Sequence, residues 1–144
     1  ALLDEDAAKA LGGLLGADFY ADSEVAVDAV RNRSSFNVID KRTFLKIDIF
    51  IPGPGPLGVG QLTRSRKLAV LPGVPPLPVL TAEDIVLQKL RWYEAGGEVS
   101  DRQWRDLVSV LRYKRDGLDM PYLQSAATGR MAELLLRAFG EATS

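Results

Sequence analysis

The stretch FNVIDKRTFLKIDIFI, residues 36–51, decides what kind of fold this chain adopts. In its second half Leu45, Ile47, Ile49 and Ile51 alternate with Lys46, Asp48 and Phe50. A period of two puts the aliphatic set on one face of a strand, against a core, and turns the other set toward water, a cleft or a thinner layer. The first half, FNVID (36–40), is a second short strand pattern. Lys41-Arg42-Thr43 parts the two as a turn would, so the pair reads as an antiparallel hairpin. Asp48 therefore need not be a buried charge.

Upstream, residues 4–15 start with acids suited to a helix N-terminus and carry Ala7, Leu11, Leu14 and Leu15 at helical spacing, although Gly12-Gly13 weakens the helix. A short extended piece, ADFYA, follows. Asp22 or Ser23 then caps a helix to about Arg31 with Val25, Ala29 and Val30 on its apolar side. Downstream, PGPGPLGVG (52–60) cannot continue a ladder and reads as a connector; it lacks the Gly-Lys-Ser/Thr ending of a phosphate loop. LTRSRKLAVLPGV holds a turn of possible helix and a strand around Lys67–Leu71, and PPLPVL (75–80) runs extended to Thr81.

From Thr81 the pattern becomes helical. Thr81-x-x-Asp84 resembles a capping box, and Ile85, Leu87, Leu90 and Trp92 or Tyr93 fill a helix that Gly96-Gly97 stops. Ser100-x-x-Gln103 is a better box, and Trp104, Leu107, Val108 and Leu111 make a clear amphipathic stripe. Asp101/Arg105 and Arg102/Asp106 stand four apart on the polar side, worth a few tenths of a kcal/mol each. Pro121 suits the start of a short helix to about Ala127, and Arg130–Phe139 forms a last one. Strands first and helices last predict an α+β domain: one chain-long domain whose residues 1–80 hold a small mixed or antiparallel sheet and whose residues 81–144 form a C-terminal helical bundle.

The composition narrows the chemistry. With 144 residues, 47% of them apolar and 26% charged, the chain can bury a core, and a formal charge of −1 offers no general attraction to nucleic acid or anionic lipid, so such a contact needs a local patch. There is no Cys and no His, which removes disulfides, thiolate or imidazole zinc sites and Ser-His-Asp triads from this chain. Carboxylates, Lys, Arg, Ser, Thr and Tyr remain, a set suited to hard-metal and phosphate chemistry. No apolar run nears a membrane span and the acidic start lacks the basic region of a signal peptide, so a soluble, cytoplasmic protein is expected.

Two segments together, LKIDIFI and TAEDIVLQKLRWYEAGGEVSDRQWRDLVSVLR, resemble nucleotidyltransferase-fold proteins of the minimal nucleotidyltransferase and AbiEii toxin type, over about residues 18–139. The resemblance implies that Asp48 matches the family's third metal-binding Asp, and that Lys89 and the Arg105-Asp106 pair match its helical Lys and later Arg-Asp. It implies a magnesium-dependent transfer of a nucleotidyl group from a nucleoside triphosphate to a protein or RNA acceptor. The family's Gly-Ser turn and Asp-x-Asp strand are not found here; Asp4-Glu5-Asp6 has the spacing but sits in a helix pattern. That gap, and a start at Ala1, lead to the expectation that the original N-terminus is missing and that these residues alone have weak or no catalysis, since magnesium usually takes more than one protein carboxylate.

Each candidate has a plainer reading. Asp48 can be a surface residue paired with Lys46 or Arg42; Lys89, Arg105 and Asp106 can be helix-surface ion pairs. Arg64, Arg66 and Lys67 form a basic patch that suits either phosphates or a solvated turn, and Pro72-x-x-Pro75 and Pro75-x-x-Pro78 suit extended connectors better than polyproline ligands. Trp92, Trp104 and Tyr93 read as helix packing rather than base-stacking platforms. The rival function is a non-catalytic interaction module, a degenerate relative from a toxin-antitoxin-like pair whose Leu134-Leu135-Leu136 end binds a protein partner. A carboxylate-dependent nuclease would need a second acidic cluster on strands.

Overall fold

A computed structural model of the chain describes residues 3–69 and 76–144. The fold is α+β, with two small antiparallel sheets and a predominance of helix. It divides into two compact units, Ala1–Val59 and Gly60–Ser144.

In the first unit, α1 (Glu5–Leu14) and α2 (Ser23–Asn32) pack together against one face of a sheet of order β1-β2-β3, formed by Phe19–Tyr20, Ser35–Asp40 and Lys46–Phe50. The N-terminal acids do what such acids do at helix starts. Asp4 accepts a hydrogen bond from the Ala7 N–H at 2.8 Å, and Glu5 takes a two-pronged contact from Arg31 of α2. Asp22 caps α2 through the N–H groups of Glu24 and Val25. Ala26, Val27, Ala29 and Val30 are the buried face of α2, so Val25, expected inside, is exposed and its place is taken by the residues that follow it.

The hairpin forms in the register Asn37↔Asp48 and Val38↔Ile47. Phe36, Val38 and Ile51 are buried, Ile47 and Ile49 pack against them, and the alternation of β3 holds with its aliphatic side toward the helices. Leu45 departs from that pattern. The strand begins at Lys46, because Phe44 adopts a left-handed backbone (φ 58°) that ends the pleat and turns Phe44 and Leu45 outward.

The glycine- and proline-rich stretch after β3 is only partly a connector. Helix α3 spans Pro56–Arg64, with the proline ring starting the helix where its missing N–H costs nothing. Gly58 is required there: a Cβ would collide with the backbone carbonyl of Gly53.

In the second unit, β4 (Arg66–Leu68) pairs with β5 (Leu77–Val79). Pro72 and Pro75, and the expected continuation of the strand to Leu71, lie outside the described residues. Helices α4 (Ala82–Ala95), α5 (Asp101–Lys114) and α7 (Arg130–Thr143) pack on one another, and α6 (Met120–Ala126) lies on α4. Thr81 and Ser100 cap α4 and α5 as the sequence predicts, and Trp104, Leu107, Val108 and Leu111 are all buried. Leu87, Leu90, Leu107, Leu111, Leu123 and Leu134 form the centre of the unit. Tyr93 and Trp104 rings meet at 5.0 Å, the indole N–H donates to Glu141, and the Tyr93 hydroxyl donates to the Glu98 carbonyl, so these aromatics are packing elements. Among the described residues, no helix is long and apolar enough to cross a membrane.

Candidate functional site

Residues directly opposite in an antiparallel pair share a face, so the register fixes what the sheet shows on the side away from α1 and α2. Tyr20, Ile39 and Lys46 form one rung, Asn37 and Asp48 the next, and Ser35 and Phe50 the third. Asn37 and Asp48 are both exposed. Asp48 makes no ion pair among the described residues; Arg42, one of its two expected partners, instead approaches Asp40 at 3.6 Å and Asp18 at 3.9 Å. A carboxylate facing solvent beside an amide, with no cation holding it, is free to accept a ligand hydroxyl or contribute to a cation site.

The magnesium reading meets a limit at this point. The hard-oxygen character of Asp48 suits the ion, and Asn37 adds a neighbouring amide oxygen, but no group of three or more acidic side chains that could hold a metal occurs among the described residues. Magnesium prefers near-octahedral oxygen ligation that one carboxylate does not define.

In the second unit, Lys89 of α4 reaches Asp106 of α5 at 4.0 Å, with the ammonium side chain 27% exposed and the carboxylate 54%. The expected pairs Asp101/Arg105 and Arg102/Asp106 do not close; Asp106 bridges between helices, and Arg105 is exposed without an ion pair among the described residues. Of the four residues singled out in the sequence, the structure thus joins Lys89 to Asp106, leaves Arg105 beside them on α5, and sets Asp48 on the sheet of the other unit.

The densest polar cluster is one the sequence did not reveal. Asp84 in the first turn of α4 is fully buried. Its carboxylate accepts from Arg64 Nε at 3.1 Å and Nη2 at 2.6 Å, from the Thr81 hydroxyl at 3.1 Å, and from the Tyr122 hydroxyl at 2.8 Å. The guanidinium also lies over the Tyr122 ring, 4.2 Å from its centre. Gln61 completes the cluster by donating to the Asp84 carbonyl and to Gln88 Oε1. Burial and the hydrogen bond to Asp84 push the Tyr122 phenol up to about 12, and the same carboxylate raises Arg64 above the ordinary guanidinium range. No buried side-chain polar atom lacks a partner among the described residues. A carboxylate so fully satisfied ties α3, α4 and α6 together and has no lone pair left for a substrate. Arg64 is therefore not part of an open basic patch; Arg66 and Lys67 sit on β4, exposed.

Hollows among the described residues lie elsewhere. One, of about 400 Å³, runs between α1 and α2 beside Lys9, Ser23, Asp28 and Arg31. Another, about 360 Å³ and almost wholly apolar, lies between α4 and α5 beside Ile85, Val110 and Tyr113. Asp48 lines neither. No protein-family model matches the chain, and no curated protein or solved structure matches it either.

Proposed function

We propose that the chain belongs to a nucleotidyltransferase-fold protein that moves a nucleotidyl group from a nucleoside triphosphate to a protein or RNA hydroxyl, and that the described residues are not catalytic by themselves. One observation carries this reading: Asp48 stands exposed on the face of the antiparallel sheet away from α1 and α2, with no ion pair among the described residues. As the resemblance implies, Asp48 would be one of the carboxylates that hold magnesium against the triphosphate, so its loss would weaken magnesium-nucleotide binding. In the second unit, taken by itself, Lys89 and Arg105 are the cations that the resemblance matches to nucleotide binding, and Asp106 pairs with the Lys89 ammonium. Magnesium, when bound, would neutralise the phosphate oxygens, with Asp48 among its ligands.

The test is a calorimetric titration of the protein from its whole reading frame with magnesium-ATP, alongside Asp48→Ala and Lys89→Ala. A loss of at least about tenfold in affinity, roughly 1.4 kcal/mol, is expected for each. Equal affinity in wild type and Asp48→Ala removes Asp48 from the site and the reading with it. The rival reading, a non-catalytic interaction module, rests on the missing family motif and on Leu134-Leu135-Leu136, of which Leu134 and Leu135 are buried and Leu136 is exposed.

A further inference from the structure

The tip of the β2–β3 hairpin combines features that neither packing nor the nucleotidyl-transfer reading uses. Phe44 is 81% exposed and Leu45 52% exposed, at the end of a sheet whose Phe36, Val38, Ile47 and Ile49 pack toward a core. Phe44 also sits at φ 58°, a left-handed conformation that bulky side chains rarely adopt and that costs stability. The turn that imposes it is firmly built. The buried Asp40 carboxylate accepts from the N–H of Arg42 at 2.8 Å and of Thr43 at 3.4 Å, the Phe44 N–H donates to the Asp40 carbonyl, and the Leu45 N–H donates to the Thr43 hydroxyl. The backbone bonds to Arg42 hold the Asp40 carboxyl below its usual range, so the turn stays charged beneath and rigid above at neutral pH.

Charge surrounds this aromatic. Lys41 and Lys46 are exposed and make no ion pair among the described residues, while Arg42 approaches Asp40 at 3.6 Å and Asp18 at 3.9 Å and offsets one of those two negative charges. Lys46 lies on the open face of the sheet, on one rung with Ile39 and Tyr20, whose ring is 52% exposed. Asp48 is the next residue along that face, about 7 Å from Lys46 by strand geometry. The surface thus presents two aromatic rings and two uncommitted ammonium groups around one edge, with Asp18 shared with Arg42 beside the turn and Asp48 beyond them.

We propose that this hairpin tip and the adjoining sheet face bind a single-stranded nucleic acid, with unpaired bases stacked on Phe44 and Tyr20 and phosphates held by Lys41 and Lys46. Aromatic faces interleaved with cations are the chemistry of single-strand recognition, because every base offers a π-face and every linkage a charge. A duplex hides its bases and cannot use the rings. A lipid bilayer would meet only Phe44 and Leu45 as apolar anchors, with Tyr20 and Asn37 turned along a polar sheet face, a poor fit to an acyl layer. The inference stands apart from nucleotidyl transfer: the strand can be bound whether or not Asp48 takes part in chemistry.

The experiment follows fluorescence anisotropy of a labelled oligouridylate with the whole protein at low salt, against the same sequence in duplex form and against vesicles containing phosphatidylserine. Single strands are expected to bind, and Tyr20→Ala with Phe44→Ala to weaken them by about tenfold or more. Lys41→Gln with Lys46→Gln should lower the salt dependence by roughly 1.4 counterions, about 0.7 for each lost phosphate contact. Phe44→Gly gives the discriminating sign, raising the thermal midpoint by relieving the backbone while weakening the strand. Asp48→Asn should bind the strand at least as tightly as wild type, since it removes a negative charge beside Lys46, even if it abolishes magnesium-ATP binding, which separates this inference from the preceding one. Equal binding of duplex and single strand, wild-type affinity in the Tyr20/Phe44 double variant, or retention on vesicles without RNA binding would each overturn it.

Discussion

Asp84 and Asp48 carry the same side chain in opposite circumstances. The first is fully buried at the start of α4 and is gripped by Arg64, Thr81 and Tyr122; the second stands in water on β3 with an asparagine across the strand. A buried charge survives only when its desolvation is offset by partners on several sides, so the saturation of Asp84 marks it as part of the architecture. An exposed carboxylate has no such requirement. Its lack of a partner costs nothing in the fold and leaves it available for a ligand. The comparison also warns against reading function from polar density, because the richest cluster in this molecule is the one with no valence to spare.

The sharpest way to break this contrast is to remove one partner at a time. Arg64→Met leaves a fully buried carboxylate without its cation and should cost about 3–5 kcal/mol in urea unfolding. Asp84→Asn leaves Arg64, which is 35% exposed and can turn toward water, so it should cost less, about 2 kcal/mol. If the order is reversed, the carboxylate is not the dominant buried charge.

A second, smaller effect reads the same cluster through pH. The Tyr122 phenol is held at about 12 in the folded chain, above its ordinary value of 10.0. Between those values the unfolded chain gives up a proton that the folded chain keeps. Stability from this group is therefore complete below pH 10.0 and is lost as pH rises through about 12. Thermal midpoints across that window should fall more steeply for wild type than for Tyr122→Phe, and parallel curves would mean that Asp84 does not hold the phenol.

The smallest expected effect lies at Asp48. Asp48→Ala should change unfolding free energy by no more than about 0.5 kcal/mol, the range of surface positions without a structural role. A loss several times larger would show that the carboxylate supports the sheet and would erase the distinction from Asp84.

How much of this was legible in the sequence depends on the range of the interaction. Thr81, Ser100 and Asp22 were readable as caps because capping is decided within a few residues, and the α5 stripe was readable because burial on one side imposes a helical period. The hairpin followed from alternation, and the exposure of Asp48 from its parity in that alternation. Asp84 was visible only as half of a capping box. Its other partners stand 20 residues before and 38 after it, a pairing that no local pattern encodes. Helix α3 was hidden for a similar reason: Gly58 looks like a helix breaker until the Gly53 backbone is found lying against it. Leu45 was assigned inward by extending the alternation through Phe44, where one left-handed residue resets the parity. The pairing of Asp106 with Lys89 instead of Arg102 reflects competition between a neighbour on the same helix and one on the next, which tertiary packing decides.

The turn anchored by Asp40 bears on the energetics of whatever meets it. With the backbone groups of residues 42–45 already tied to Asp40 and Thr43, an arriving molecule has no loop to organise. Association then resembles the docking of a key into set metal: its heat-capacity change should scale with the area covered alone, with no added contribution from coupled folding.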